Sequence, residues 1–236
     1  MPDPLSALLN AGFGPTLEML SRIRNTGFVP EKILDIGAYT GDFTRVTSAV
    51  FPNARFLMVE AQPEAENRLA ELCRTRPESF DFAIALLGAT NRSTHRFYQV
   101  LSPAGSTGSS IYPEMTKHPQ RQIDLRMIRL DDLLDVRKVS GFNMIKLDVQ
   151  GAELDVLRGG PRTLAAAEVI LMETSFMNYN EGAPTFAEVI RFMDINGFAP
   201  VDLYDPQRDM TGNLIQIDVV FLRKGSSCMP KLTLRD

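Results

Sequence analysis

Lys32-Ile33-Leu34-Asp35-Ile36-Gly37-Ala38-Tyr39-Thr40-Gly41-Asp42-Phe43-Thr44 is the stretch whose reading decides the fold. The apolar run 33–36 breaks into a turn with glycines at 37 and 41, and the residues beyond read as the start of a helix. Strand, glycine turn and helix is how an α/β protein brings backbone N–H groups up to a small ligand, because glycine has no Cβ to hold that ligand off. Asp35 lies at the end of the strand, where a carboxylate can hold a cationic or hydroxyl group. About nineteen residues past Gly41 a second apolar run, Phe56-Leu57-Met58-Val59, ends in Glu60. An α/β nucleotide site places an acid there against a ribose. The pair of runs predicts a nucleoside site.

The pattern repeats downstream. Phe43, Val46, Ala49 and Val50 give a helix face, and a second helix over 64–76 buries Ala65, Leu69 and Leu72 before a third strand over 82–87. This β-α-β-α-β order predicts parallel strands joined by right-handed crossovers. An added strand is expected over 94–100, then a lid-like loop over about 101–122 rich in Ser, Gly and Pro, and a strand over 126–129. The second dense stretch, Met144-Ile145-Lys146-Leu147-Asp148-Val149-Gln150-Gly151-Ala152-Glu153-Leu154, is again a buried strand closed by an acid and followed by glycine and a helix. Val169-Ile170-Leu171-Met172 then ends in Glu173. Ligands of open parallel sheets gather at the carboxyl ends of the strands, so Asp35, Glu60, Asp148 and Glu173 are expected on one rim. A helix over 184–196, capped by Gly197, precedes two strands over 201–204 and 214–222, which predict an antiparallel hairpin at the sheet edge. Upstream, Leu5, Leu8, Leu9, Leu17, Leu20 and Ile23 suggest two short helices covering the sheet or the ligand mouth. The organisation expected is a helical lead-in over 1–29, a main domain over 30–224 and a loosely attached tail over 225–236.

Composition sets limits on these readings. A chain of 236 residues with 44% apolar content can bury a sizeable core. Its net charge of -4, without long like-charge runs, gives no reason to expect a nucleic-acid or membrane-surface partner. No stretch is long and apolar enough to span a bilayer, and the first residues do not resemble a secretory signal. Cys73 and Cys228 are too few for a disulfide framework or zinc site and fit reduced thiols of a cytoplasmic protein. Oligomeric state is not readable.

The segments Asp-Ile-Gly-Ala-x-x-Gly-x-x-Thr, Val-Glu-Ala-x-Pro and Ile-Lys-Leu-Asp-Val-Gln-Gly-Ala-Glu-Leu-x-Val-Leu-x-Gly, with the closing hairpin, resemble the FkbM-type family of S-adenosylmethionine-dependent methyltransferases. The likeness runs from Pro30 to Arg223 and is most specific around Asp148. It implies a Rossmann-like class I fold, a seven-stranded mostly parallel sheet with the last strand antiparallel and helices on both faces. It implies O-methylation of a hydroxyl on a sugar, glycan or polyketide-type natural product. Residue by residue, the resemblance places Asp35, Gly37, Ala38, Gly41 and Thr44 around the methionine moiety and Glu60 with Ala61 on the ribose. It further sets Ala83, Ile84, Ala85 and Leu86 beside the adenine, Ser110 in the lid, and Asp148 nearest sulfonium and acceptor. Tyr39 departs from the small polar residue usual there.

Methyl transfer to an alcohol needs alignment and help in removing a proton. Asp148 and Glu173 are the candidate base or acceptor-binding groups, and His118, with an unperturbed pKa of about 6.5, is a further candidate base. His95 reads as structural, and Glu153 as a residue that favours its helix N-terminus. A divalent metal between Asp148 and Glu173 is chemically open but not favoured, since no ligand run accompanies Glu173. Phe176, Tyr179 and Tyr112 fit either a pocket for a sugar or hydrophobic small molecule, or plain packing. Two other classes are open on the residues alone. Glu60 would suit an NAD-dependent oxidoreductase, although Gly37-x-x-x-Gly41 lacks the Gly-x-Gly-x-x-Gly pattern. A catalytically silent cofactor-binding module is the other.

Overall fold

Alternation of apolar residues along the strands decides the layers. In β1 (Lys32–Ile36), Leu34 and Ile36 pack on one face and Ile33 on the other, and all three have 1% or less of their surface exposed. The same division holds in β2 (Arg55–Glu60), in β7 (Met144–Leu147) and in β8 (Val169–Ser175), whose residues supply both apolar clusters. A strand covered on both faces reads as a continuous apolar run, which is why these stretches stand out in the sequence. The computed structural model describes residues 8–101, 108–115, 118–177 and 179–230.

One face is covered by α1 (Gly14–Asn25), α2 (Asp42–Val50) and α3 (Glu66–Thr75), through residues such as Leu20, Val46 and Leu69. The other is covered by α4 (Leu130–Arg137), α5 (Glu153–Arg158), α6 (Pro161–Ala166) and α7 (Phe186–Ile195), through Leu130, Leu154, Leu164 and Met193. A capping box at Thr185 and Glu188 starts α7, satisfying N–H groups that the helix itself leaves unpaired. With β3 (Phe80–Ile84), β9 (Phe198–Arg208) and β10 (Leu214–Arg223), the main sheet runs β3-β2-β1-β7-β8-β10-β9. The pairs among β3, β2, β1, β7 and β8 are parallel, and β10 is antiparallel to both neighbours.

The departures from expectation are local. The strand foreseen over 82–87 divides: β3 ends at Ile84, and β4 (Leu86–Leu87) joins β6 (Gln120–Ile128) and β5 (Arg92–Val100) in a separate three-stranded sheet. The helix foreseen over 64–76 opens as a 3-10 turn, Pro63–Ala65, with proline at its first position. α6 was not foreseen. The lead-in covers the sheet: Leu17, Met19, Leu20 and Ile23 of α1 are buried there, whereas Leu5 lies outside the described residues. The tail is not loose over 225–230, since Cys228 is buried against the core; 231–236 lie outside the described residues. Both cysteines are free thiols.

Two strand ends meet at Gly37. Its φ is +76°, and a Cβ built there would lie 1.8 Å from the backbone oxygen of Asp148. The glycine therefore admits protein backbone rather than ligand, which corrects the reason given for it from sequence. Gly212, at φ +89°, has open space around it. Gly37→Ala should destabilise the fold by roughly 3 kcal/mol or more, or abolish it, because backbone must move. Gly212→Ala should cost about 1 kcal/mol from backbone conformation alone. Denaturant unfolding of the two variants measures the difference.

Candidate active site

The register of the sheet brings the acids together. Ile36 pairs with Leu147, and Leu147 with Met172, so the residues that follow, Gly37, Asp148 and Glu173, emerge at one level. They open, with Glu60 of β2, onto a cavity of about 530 Å³. Leu86, Leu87 and Phe97 of the small sheet wall one side, and Ser109, Ile111 and Glu114 of segment 108–115 close over it. That segment is fastened on both flanks. Ser110 exchanges backbone hydrogen bonds with Tyr98, and Met115 N–H donates to the Tyr179 carbonyl at 2.7 Å. The Tyr112 hydroxyl donates to Asp155 of α5 at 2.6 Å.

Glu60 is held as a fixed acceptor. Backbone N–H groups of Tyr39 and Gln62 donate to its two oxygens at 2.8 and 2.9 Å, leaving further lone pairs on each oxygen. Burial pushes its carboxyl above the ordinary value, against the pull of those N–H groups. Tyr39 lines the cavity and holds φ +48°, a left-handed conformation in which Asn costs less than a bulky residue. The turn of β1 keeps its own N–H groups: Gly37 and Ala38 donate to the Val59 carbonyl, and Gly41 to the Ala38 carbonyl.

The other half of the cavity is a linked polar wall. Gln150, at φ +55°, donates from Nε2 to Asp148 Oδ1 and to Glu173 Oε1, each at 2.9 Å. Gln216 of β10 donates to Glu173 Oε2 at 2.5 Å and accepts the Tyr179 hydroxyl at 2.6 Å. Glu153 is buried and reaches back to accept the N–H groups of Val149 and Gly151 at 2.9 and 3.2 Å, which holds the turn that aims Asp148. Behind Asp148, the Lys146 ammonium donates to the Gly37 carbonyl at 3.1 Å and lies 3.2 Å from Asp148 Oδ2 and 3.7 Å from Asp35 Oδ1. Burial pulls this lysine down, but Asp148 and Asp35 outweigh it and hold the ammonium charged. Glu173 moves the opposite way: burial, then Asp148, Asp218 and Glu153, push it well above the carboxylate range, with Lys146 opposing.

Of the residues singled out from sequence, Gly37, Tyr39, Glu60, Ala61, Asp148, Glu173 and Tyr179 line the cavity, whereas Tyr112 and Phe176 do not. Asp35 does not. It has no exposed surface, accepts the Thr44 hydroxyl at 2.7 Å and faces the layer covered by α2. Strand alternation sends it there, beside Lys146, with which it is in register. Ala38 is packed in that layer as well, and the space a Gly41 Cβ would need is taken by Leu72, 2.3 Å away. Of the residues set beside the adenine, Ala85 and Leu86 line the cavity, together with Leu87, whereas Ala83 and Ile84 belong to the two cores of the main sheet. Ser110 lies behind Ser109, and His118 is exposed outside the lining. Residues missed from sequence are Gln62, Gln216 and Ile215, which lie in unremarkable positions and reach the cavity only through the fold. Gln150 carried a signal: a polar residue before glycine, immediately after the strand acid.

The donor set suits a cationic nucleoside. Glu60, Glu114, Asp148 and Glu173 line the cavity, and none of the described lining residues is Lys, Arg or His. Apolar Leu86 and Phe97 offer a surface for a base, and Glu60 two acceptor oxygens for a ribose. Among the described residues no group of three or more His, Cys, Asp or Glu is arranged for a metal ion, and no helix is long and apolar enough to cross a membrane.

Comparison with known proteins agrees with this geometry. The profile of the methyltransferase FkbM domain matches residues 35–200. The 2-O-methyltransferase NoeI of Sinorhizobium fredii is 26% identical over 165 residues, which cover 64% of this chain and 65% of that protein, slightly under two thirds of its length. Magnesium protoporphyrin IX methyltransferase from Synechocystis, solved with bound S-adenosylmethionine, superposes with a TM-score of 0.51 at 9% identity, covering 92% of this chain and 82% of its own. The O-methyltransferase TomG from Streptomyces achromogenes gives 0.51 at 12% identity, covering 91% and 81%. At such identities these two are likenesses of fold, the class I S-adenosylmethionine-dependent methyltransferase fold.

Crowded carboxylates at the strand ends make stability depend on pH. Burial raises Glu153 to about 7 and, with Asp148, raises Asp218, the register partner of Glu173, to about 7. Between the ordinary carboxylate values and about 7 the native state keeps protons that the unfolded chain has released, so unfolding releases protons and stability falls as pH rises. The melting temperature should fall between about pH 4.5 and 7 from these groups, and Asp218→Asn should flatten that slope. Thermal scans across the pH range check both outcomes.

Proposed function

The chain belongs to the methyltransferase FkbM domain family, and we propose that it moves the methyl group of S-adenosylmethionine to a hydroxyl of a sugar, glycan or polyketide-type natural product. The observation that carries this reading is the placement of Glu60 and Asp148 in a single cavity, one in the half walled by the small sheet and the other beside the linked polar wall. Membership of a methyltransferase family leaves the NAD-dependent oxidoreductase reading without support. The 2-O-methyltransferase relative supports oxygen as the receiving atom.

In this proposal Glu60 accepts the ribose hydroxyls, with its geometry preset by the N–H groups of Tyr39 and Gln62. Ala85, Leu86 and Phe97 flank the base. When bound, S-adenosylmethionine supplies a methyl group already activated by positive sulfur. What the protein adds is alignment and proton removal. Asp148, with 38% of its side chain exposed, is the carboxylate with room to receive the acceptor's proton. The Lys146 ammonium lies 3.2 Å from its Oδ2, and Gln150 fixes its orientation. Glu173, both of whose oxygens already accept amide hydrogens, binds and orients rather than acting as the base. Asp35 supports Lys146 from behind, and Thr44 supports Asp35, so both position the site without touching the cofactor. His118 is exposed outside the cavity lining, so this reading gives the base role to Asp148.

Asp148→Asn should lower kcat by roughly 100- to 10,000-fold while changing S-adenosylmethionine affinity only severalfold. Calorimetry and a labelled-methyl transfer assay on the same preparation separate the two effects. A wild-type chain that binds the cofactor and transfers to no alcohol would indicate the catalytically silent module instead.

A further inference from the structure

We propose that the cavity selects an uncharged polyol as methyl acceptor and rejects the phosphorylated, nucleotide-linked or carboxylated forms of the same sugar. This rests on the O-methyl transfer reading and adds the charge class of the substrate. The argument starts from where the donors of the polar wall point. Both Nε2 hydrogens of Gln150 are spent on Asp148 and Glu173. Gln216 spends Nε2 on Glu173, and the Tyr179 hydroxyl proton goes to Gln216 Oε1. What this wall turns to the cavity is therefore chiefly lone pairs, on Asp148, Glu173 and the amide oxygens. Hydroxyls can donate into such a wall. Phosphates and carboxylates only accept, so they meet lone pair against lone pair and charge against like charge.

No cation on the described lining offsets this. Lys146 is not part of the lining: its ammonium is taken up by the Gly37 carbonyl, Asp148 and Asp35. Asp218 stands in register with Glu173 on the next strand and brings no cation to the wall. The carboxylate cluster is thus backed by a second feature, the inward direction of the wall's own N–H and O–H bonds.

The test uses the full chain with labelled S-adenosylmethionine and three acceptors built on one sugar: the methyl glycoside, its uronate and its phosphate. The kcat/KM for the neutral glycoside should exceed that of each anion at least tenfold. In Gln216→Lys, and independently in Ile215→Lys, a cation enters the lining, and the ratio should narrow by about tenfold in favour of the anions. Calorimetric titration of the three sugars into protein saturated with S-adenosylhomocysteine should give the same order of affinity without any turnover. Equal or better use of the anions by the wild-type chain overturns the charge selection and leaves the O-methyl reading standing. Transfer to none of many alcohols, despite cofactor binding, overturns that reading and this inference with it.

Discussion

The ion on which the rest of the structure depends is Lys146. Its ammonium sits inside the protein between Asp35 of β1 and Asp148 after β7, and it also donates to the carbonyl of Gly37. Burying one charge without partners costs several kcal/mol, and removing one member of a buried set leaves the others uncompensated. Asp35 makes this concrete: its Oδ1 has no hydrogen bond, so the lysine at 3.7 Å is its main electrostatic compensation. The strand ends of β1 and β7 are consequently bound by charge at the point where Gly37 allows their backbones to touch. Asp148 is presented from that joint. Its position follows from a buried ion set rather than from a loop.

Much of this was legible in the sequence, for a physical reason. Strands covered on both faces are apolar throughout, so Ile33, Phe56, Met144 and Val169 announce their strands, and the acid that ends each run marks the rim. Direction was not legible. Asp35 and Glu60 look alike in sequence, each an acid at the end of an apolar run, but Asp35 comes before the final strand residue and Glu60 is the final one. The pleat therefore turns one into the layer beneath α2 and leaves the other at the cavity. The small sheet was hidden because Leu86-Leu87 continues the apolar run of β3. The backbone leaves the main sheet after Ile84, and Ala85 N–H donates to the Glu60 carbonyl. Gln216 was illegible for another reason: it reaches Glu173 across strands paired over 43 positions of sequence.

The dense motif around Asp148 can be understood as a turn that supports itself. Gln150 and Gly151 both hold positive φ, and a Cβ on Gly151 would lie 2.5 Å from the Ala183 Cβ. A non-glycine residue in that conformation costs of order 1–3 kcal/mol and persists only where its surroundings fix it. Here Asn180 donates to the Gln150 carbonyl at 2.7 Å, and Glu153 holds the N–H groups on either side. Several residues of the motif thus serve geometry, and Asp148 is the motif carboxylate left facing the cavity.

The same turn is tied to the segment that closes the cavity. Ser110 Oγ lies 3.4 Å from the Val149 carbonyl, and Tyr112 donates to Asp155 in the first turn of α5. Asn180, which supports Gln150, also pairs through its backbone with Glu114. Segment 108–115, the turn that carries Asp148 and the loop that carries Tyr179 are therefore one hydrogen-bonded unit around the cavity, so a substitution that loosens any of the three is felt at the carboxylate.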